Sequence, residues 1–69
     1  MMSFVIKRTS EKDGQTKILS GAYGDRETAL EVLEEVLTTY HIHGQRGSDE
    51  YWWARDDEYR RFTFVITSI

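Results

Sequence analysis

The sequence predicts a single small α+β domain, in which antiparallel hairpins form a sheet and one helix packs on one face of that sheet. The 69-residue chain is too short to bury a second core. Residues 26–41 repeat apolar side chains at three- and four-residue intervals, which indicates an amphipathic helix. Two stretches of strand composition lie on each side of that segment. We therefore expect the element order ββαββ over residues 1–69.

The first hairpin is expected over residues 3–9 and 16–23, because an Asp-Gly pair at positions 13 and 14 favours a tight turn with positive φ. A two-residue turn would place Leu19 on the sheet face that the helix covers. A three-residue loop would bring Ile18 to that face instead. The sequence leaves both registers open.

The helix should begin at Arg26, because Asp25 is a favourable N-cap that can accept a backbone N–H of the first turn. We expect it to end near His41, with Gly44 as its stop signal and residues 45–48 as a loop. One side of this helix is apolar, through Ala29, Leu30, Leu33, Val36, Leu37 and Tyr40. The other side carries an acidic stripe of Glu27, Glu31, Glu34 and Glu35.

The second hairpin is expected over residues 50–55 and 60–67, which are rich in aromatic and β-branched side chains. An even loop length between these strands pairs Trp53 with Phe62, and it turns Trp52 to the opposite face of the sheet. An odd loop length would exchange the two tryptophans. A right-handed crossover through the helix would make the second and third strands parallel if they share a sheet.

A single helix covers one face of a sheet, so the other face should meet solvent or a partner. The residues expected there are Val5, Lys7, Trp52, Arg61, Thr63, Val65 and one of Ile18 or Leu19. A mixed apolar and basic face with an exposed tryptophan is typical of a protein interface. The chain has no cysteine, so disulfides cannot stabilise so small a domain. This absence favours self-association as a source of stability.

Catalytic and metal-binding chemistry is not expected. His41 and His43, with Asp49 and Glu50 nearby, are the one cluster of metal-ligand residue types. A spacing of two residues at a helix end does not place both imidazoles on one helical face, and no thiolates complete a site. No nucleophile motif, paired-acid arrangement or phosphate-binding glycine loop occurs. We therefore expect no enzyme, no cofactor and no metal.

The C-terminal hairpin carries the residues that we expect to form an interaction site: Trp52, Arg55, Arg60, Arg61 and Val65. Arginine and tryptophan anchor protein interfaces, and they also stack on bases or pair with phosphates. The net charge of −3 disfavours nucleic acid as the partner. The sequence thus predicts a non-enzymatic interaction domain that binds its own copy or another protein. Nucleic-acid binding through this hairpin is the alternative hypothesis.

The cellular location is predicted from the absence of a membrane-spanning segment and of a secretory signal in the sequence. No apolar run approaches the ~20 residues that span a bilayer, so no membrane association is expected. Lys7 and Arg8 follow the first apolar run, whereas a secretory signal places its basic residues first. We expect a cytoplasmic protein, and the hairpin-helix-hairpin order also occurs in small bacterial and phage proteins.

Overall fold

The computed structural model describes residues 3–19, 21–46 and 51–69, which form one antiparallel sheet and one helix. Five strands are paired in the order β2-β1-β5-β4-β3. The predicted α+β class, with one helix between two groups of strands, is confirmed. The elements are β1 (Phe4–Ser10), β2 (Thr16–Ile18), α1 (Arg26–Leu37), β3 (Ile42–Arg46), β4 (Tyr51–Arg55) and β5 (Arg61–Ser68).

The helix begins where the sequence predicts, at Arg26. Asp25 has extended backbone angles, and its side chain accepts the backbone N–H of Thr28 at 2.7 Å. This hydrogen bond from the N–H of Thr28 holds the pKa of Asp25 below its usual value. The buried positions of the helix recur once per turn and face the sheet, namely Ala29, Leu33 and Leu37.

The end of the helix differs from the prediction, because α1 ends at Leu37 rather than near His41. The hydroxyls of Thr38 and Thr39 donate to backbone carbonyls three residues earlier, at 2.6 and 2.7 Å. The carbonyls that accept them, those of Glu35 and Val36, belong to the last turn, whose carbonyls lack the regular helical hydrogen bonds, and the Val36 carbonyl also accepts the backbone N–H of Thr39. The two threonines thus end the helix before the glycine that was expected to do so.

The early helix end makes room for β3, a strand that the sequence did not predict. Gly44 lies at the centre of this strand, and the predicted loop at 45–48 begins with two residues of it. Positions 47 and 48 lie outside the described residues. β3 runs in the same direction as β2, at the opposite edge of the sheet. The strand predicted to run parallel to β2, now β4, runs antiparallel to it.

The structure has the odd loop length that exchanges the two tryptophans, so the expectation that Trp52 lies on the face away from the helix is wrong. The connection between β4 and β5 has five residues, 56–60, so its length is odd and Trp52 pairs with Phe64. Trp52 faces the helix and is only 4 % exposed, whereas Trp53 lies on the opposite face. The odd loop is possible because Tyr59 adopts a positive φ of 64°.

The first hairpin follows the side-chain orientation that a two-residue turn predicts, because an even number of residues, the six at 10–15, lies between the paired positions Thr9 and Thr16. Lys7 pairs with Ile18, and Ser10 exchanges hydrogen bonds with residues at the end of the loop. Gly14 has the positive φ that this turn needs, 71°. Leu19 therefore packs against the core and Ile18 is exposed on the other face.

The core lies between the helix and the inner face of the sheet. Its buried members are Ile6, Leu33, Leu37, Trp52, Ala54 and Phe64. Tyr40, which follows the helix, packs edge-on against Phe64 with ring centroids 5.6 Å apart. A helix of 12 residues is about 18 Å long, whereas the molecule extends over 39 Å. The helix therefore leaves part of the inner face, beyond its C-terminal end, without cover.

Candidate interaction surfaces

The face of the sheet opposite the helix, here called the uncovered face, contains three rows of side chains that run across the strands. Beyond them Val5 pairs with Thr67, and Val5 is buried rather than exposed as the sequence predicted. The register of the strands defines a middle row of Thr16, Thr9, Thr63, Trp53 and Gly44. One flanking row contains Ile18, Lys7, Val65 and Tyr51, and the other contains Glu11, Arg61, Arg55 and Ile42. Three exposed aliphatic residues of the strands, Ile18, Ile42 and Val65, with exposed fractions of 55, 42 and 40 %, belong to this face. A fourth exposed aliphatic residue, Ile69, follows the end of β5.

Trp53 occupies the centre of the uncovered face because Gly44 stands opposite it on β3. A Cβ atom at position 44 would lie 2.8 to 2.9 Å from three atoms of the indole ring. Only a glycine therefore lets this ring lie across the neighbouring strand. Gly44 was interpreted as a helix stop, and its role at this site depends on a strand register that the sequence does not show.

Two arginines of the uncovered face stand directly opposite each other, Arg55 on β4 and Arg61 on β5. Like charges in this position are destabilising. Arg61 has a long ion pair with Glu11, at 3.9 Å. The Nε atom of Arg55 is buried and has no hydrogen-bond partner in the described part of the chain. Together with Trp53, these side chains line a shallow recess of about 410 Å³.

The interaction residues predicted from the sequence are therefore only partly brought together. Arg55, Arg61 and Val65 share the uncovered face. Trp52 is buried in the core, and its indole is replaced on the uncovered face by that of Trp53.

Arg60 is held within the loop between β4 and β5. Its Nε atom lies 2.6 Å from the carboxylate of Asp56, and a terminal nitrogen lies 3.2 Å from Glu58. The hydrogen bond to Asp56 raises the pKa of Arg60 above its usual value. Loss of hydration favours protonated Asp56, but the hydrogen bonds from Arg60 and from the N–H of Glu58 outweigh it and lower the pKa of Asp56. Arg60 and Asp56 thus stabilise the loop through each other.

A second surface lies on the helix side of the sheet, beyond the C-terminal end of the helix. We call it the helix-side groove; it has a volume of about 930 Å³ and lies between the first hairpin and loop 56–60. Arg8, Lys12 and Lys17 contribute three cations to it. The guanidinium of Arg8 lies over the ring of Phe62, 5.0 Å from its centroid. Sequence reasoning missed this groove because its cations come from different parts of the first hairpin.

The charges of the molecule are segregated. The carboxylates of the helix remain exposed on its outer side at Glu27, Glu31, Glu34 and Glu35. Both the uncovered face and the helix-side groove carry more cations than carboxylates. The net charge of −3 therefore does not describe the local charge of either surface.

Within residues 3–19, 21–46 and 51–69, no three metal-ligating side chains lie close enough to hold a metal ion. His41 and His43 are exposed, while Asp49 and Glu50 lie outside the described residues. The helix of the described part is too short and too polar to cross a membrane.

No protein-family model matches the chain, and no curated protein or solved structure is significantly similar to it.

Proposed function

We propose that this protein is a non-enzymatic interaction domain that forms a homodimer through its uncovered face. The observation that carries this proposal is the position of three exposed aliphatic side chains and Trp53 on one face of the sheet. Aromatic and arginine side chains surrounded by hydroxyl groups are the composition of many protein interfaces. A small domain without disulfides also gains stability from association.

The rows of the uncovered face are complementary to a second copy of themselves. In the proposed dimer the uncovered faces of two copies lie against each other. A two-fold axis runs between them, perpendicular to the strands and level with the middle row that contains Trp53. Each flanking row then lies against the other flanking row of the partner. This axis would place Glu11 over the partner's Lys7. It would also place Arg55 over the aromatic ring of the partner's Tyr51. Opposite charges then meet at the rim, which favours a second copy over an unrelated partner.

The size of the face limits the strength of this dimer. Five strands spaced about 4.8 Å apart, with rows about 7 Å apart, give a face of roughly 400 to 500 Å². A stable interface of standard size buries about 800 Å² on each partner. We therefore expect a dimer with a micromolar dissociation constant, whose population depends on protein concentration.

Nucleic-acid binding through the C-terminal hairpin is the second candidate. Its support is weaker, because Arg60 is paired within the loop and Trp52 is buried. Trp53, Arg55 and Arg61 remain as a stacking ring and two cations on the uncovered face. Such binding would weaken steeply with salt, whereas a dimer that buries apolar side chains would change little. Titration with a single-stranded oligonucleotide at two salt concentrations separates the candidates.

Sedimentation equilibrium over the micromolar range tests the dimer. Val65→Lys places a charge at the centre of the predicted contact, and we expect it to weaken dimerisation by about tenfold or more. The variant should fold, because the side chain of Val65 is 40 % exposed. Glu34→Gln removes a negative charge from the outer side of the helix, so it raises the net charge by the same amount, and it should leave the dimer unchanged. A wild-type protein that is monomeric at all of these concentrations would overturn the proposal.

A charge exchange tests the proposed axis. Glu11→Lys and Lys7→Glu should each weaken the dimer by about fivefold, because each puts like charges opposite each other. The double variant should regain most of the affinity. Within one chain these positions are four residues apart along a strand, about 13 Å, which is too far for an ion pair. Rescue must therefore come from the partner, and its absence would exclude this axis.

A further inference from the structure

We infer that the helix-side groove is a binding site for phosphate groups, separate from the uncovered face. Arg8, Lys12 and Lys17 line it, and no described carboxylate lies within ion-pair distance of any of them. An acidic protein thus keeps three cations together in one groove without acidic partners. The groove lies on the opposite face of the sheet from Arg55, Arg61 and Val65. It shares Arg60 with the predicted interaction site, but Arg60 is paired with Asp56.

Two carboxylates, Asp13 and Asp56, also line this groove, and each has another partner. Asp56 accepts hydrogen bonds from the side chain and the backbone of Arg60. Asp13 accepts the backbone N–H of Gln15 at 3.0 Å, which shapes the turn of the first hairpin. These contacts hold both carboxylates in their own loops. The groove therefore keeps an excess of positive charge that a ligand can neutralise.

Two of the cations are held side by side by the strands. Arg8 and Lys17 pair directly across β1 and β2, where like charges destabilise a sheet. Arg8 is also oriented, because its guanidinium rests on the ring of Phe62. An anion bound between these side chains would neutralise the repulsion between Arg8 and Lys17. It would thereby stabilise a domain whose free energy of unfolding is small. This arrangement is preorganised for an oxyanion.

The aromatic side chains of the groove indicate which part of a ligand it recognises. Phe62 contacts Arg8 on the one hand and Tyr40 on the other, with ring centroids of Phe62 and Tyr40 5.7 Å apart. Tyr40 also packs against the core residue Phe64. Because these rings already have partners, the groove offers charges rather than a stacking platform. Guanidinium and ammonium groups fit phosphate oxygens, supplied by a free polyphosphate or by a nucleic-acid backbone.

Isothermal titration with tripolyphosphate at constant ionic strength tests this site, at protein concentrations where the chain is monomeric. Lys17→Gln should reduce the affinity by at least about fivefold. This variant should fold, because Lys17 is exposed on a short edge strand. Lys7→Gln is the matched control, since it removes the same charge from the same sheet but on the uncovered face. We expect it to leave phosphate binding unchanged.

A second titration with a short oligothymidylate distinguishes the two sources of phosphate. If three cations contact a single-stranded backbone, the logarithm of the binding constant should fall with the logarithm of the salt concentration with a slope of about −2. Lys17→Gln should make this slope shallower by about 0.7. Binding of tripolyphosphate alone would assign the site to free polyphosphates. Failure of both ligands to bind, an equal loss of affinity in Lys7→Gln, or equally tight binding of a polyglutamate peptide would each overturn the inference.

Discussion

The two faces of the sheet are formed by the same strands, yet they differ in almost every property. Toward the helix, Ile6, Trp52 and Phe64 are almost fully buried. On the other face, Trp53 and Val65 occupy neighbouring positions of the same strands and remain partly exposed. Because side chains alternate along a strand, one residue more or less in a loop exchanges the two faces. Loop length, rather than composition, thus decides which tryptophan joins the core.

The largest effect that separates the two faces should come from the tryptophans themselves. Trp52→Ala should lower the free energy of unfolding by about 3 to 5 kcal/mol. A domain of 69 residues has a total stability of about 3 to 10 kcal/mol, so we expect this variant to lose a large part of its folded population. Trp53→Ala should cost about 1 to 2 kcal/mol, because its indole keeps part of its exposure in the folded monomer. Urea denaturation at low protein concentration measures both.

The same experiment has internal references in the core. Leu33→Ala and Phe64→Ala should each cost about 2 to 5 kcal/mol, since both side chains are completely buried. A greater loss of stability in Trp53→Ala than in Trp52→Ala would mean that the two faces have been assigned in reverse.

Local signals in the sequence predicted the parts of the fold that depend on local interactions. The N-cap at Asp25 and the apolar spacing of the helix are examples, because hydrogen bonds within one turn determine them. The orientation of Lys7 on β1 and of Val65 on β5 was also predicted, because alternation within a strand does not depend on its neighbours. Val5 follows the same alternation but is buried, and its exposure was predicted wrongly.

The errors occur where one segment is defined by another. The sequence of β3, from Ile42 to Arg46, has one large apolar residue and a central glycine, so it lacks the composition of a strand. Its structure comes from pairing with β4. The orientation of Trp52 depended on a loop whose length is set by hydrogen bonds to Asp56 and by the positive φ of Tyr59. The helix-side groove combines residues that only the strand register brings together.

The pairing of Gly44 with Trp53 offers a sharper test of how the uncovered face is built. Gly44→Ala should lower the free energy of unfolding by about 1 to 3 kcal/mol, because the new methyl group meets the indole ring. The backbone at Gly44 has no positive φ that would require glycine, so the cost is steric. Gly24→Ala is the control, since a Cβ there has no neighbour within 4 Å.

A double-mutant cycle separates this contact from other effects of the methyl group. In a Trp53→Ala background, Gly44→Ala should cost nothing, and it should even stabilise β3 slightly because alanine has less conformational entropy to lose than glycine. Persistence of the full cost in that background would show that the indole does not lie across β3.

The smallest effect is expected on the outer side of the helix, which neither face of the sheet contacts. Glu34→Ala and Glu35→Ala should change the free energy of unfolding by about half a kcal/mol or less. Both side chains are exposed, and neither has an ion pair among the described residues. Alanine favours the helix more than glutamate does, and a carboxylate in the second half of a helix interacts unfavourably with the helix dipole. The change should therefore tend toward greater stability.

Thermal melts of Glu34→Ala and Leu33→Ala, which are adjacent in sequence but on opposite sides of the helix, measure this contrast directly. The melting temperature of Leu33→Ala should fall sharply, while that of Glu34→Ala should stay close to the wild type. The difference in melting temperature between Glu34→Ala and the wild type should also be independent of protein concentration, because the proposed dimer leaves the outer side of the helix free. A loss of more than about 1 kcal/mol in Glu34→Ala that grows with concentration would place the helix, rather than the uncovered face, in the interface between two copies.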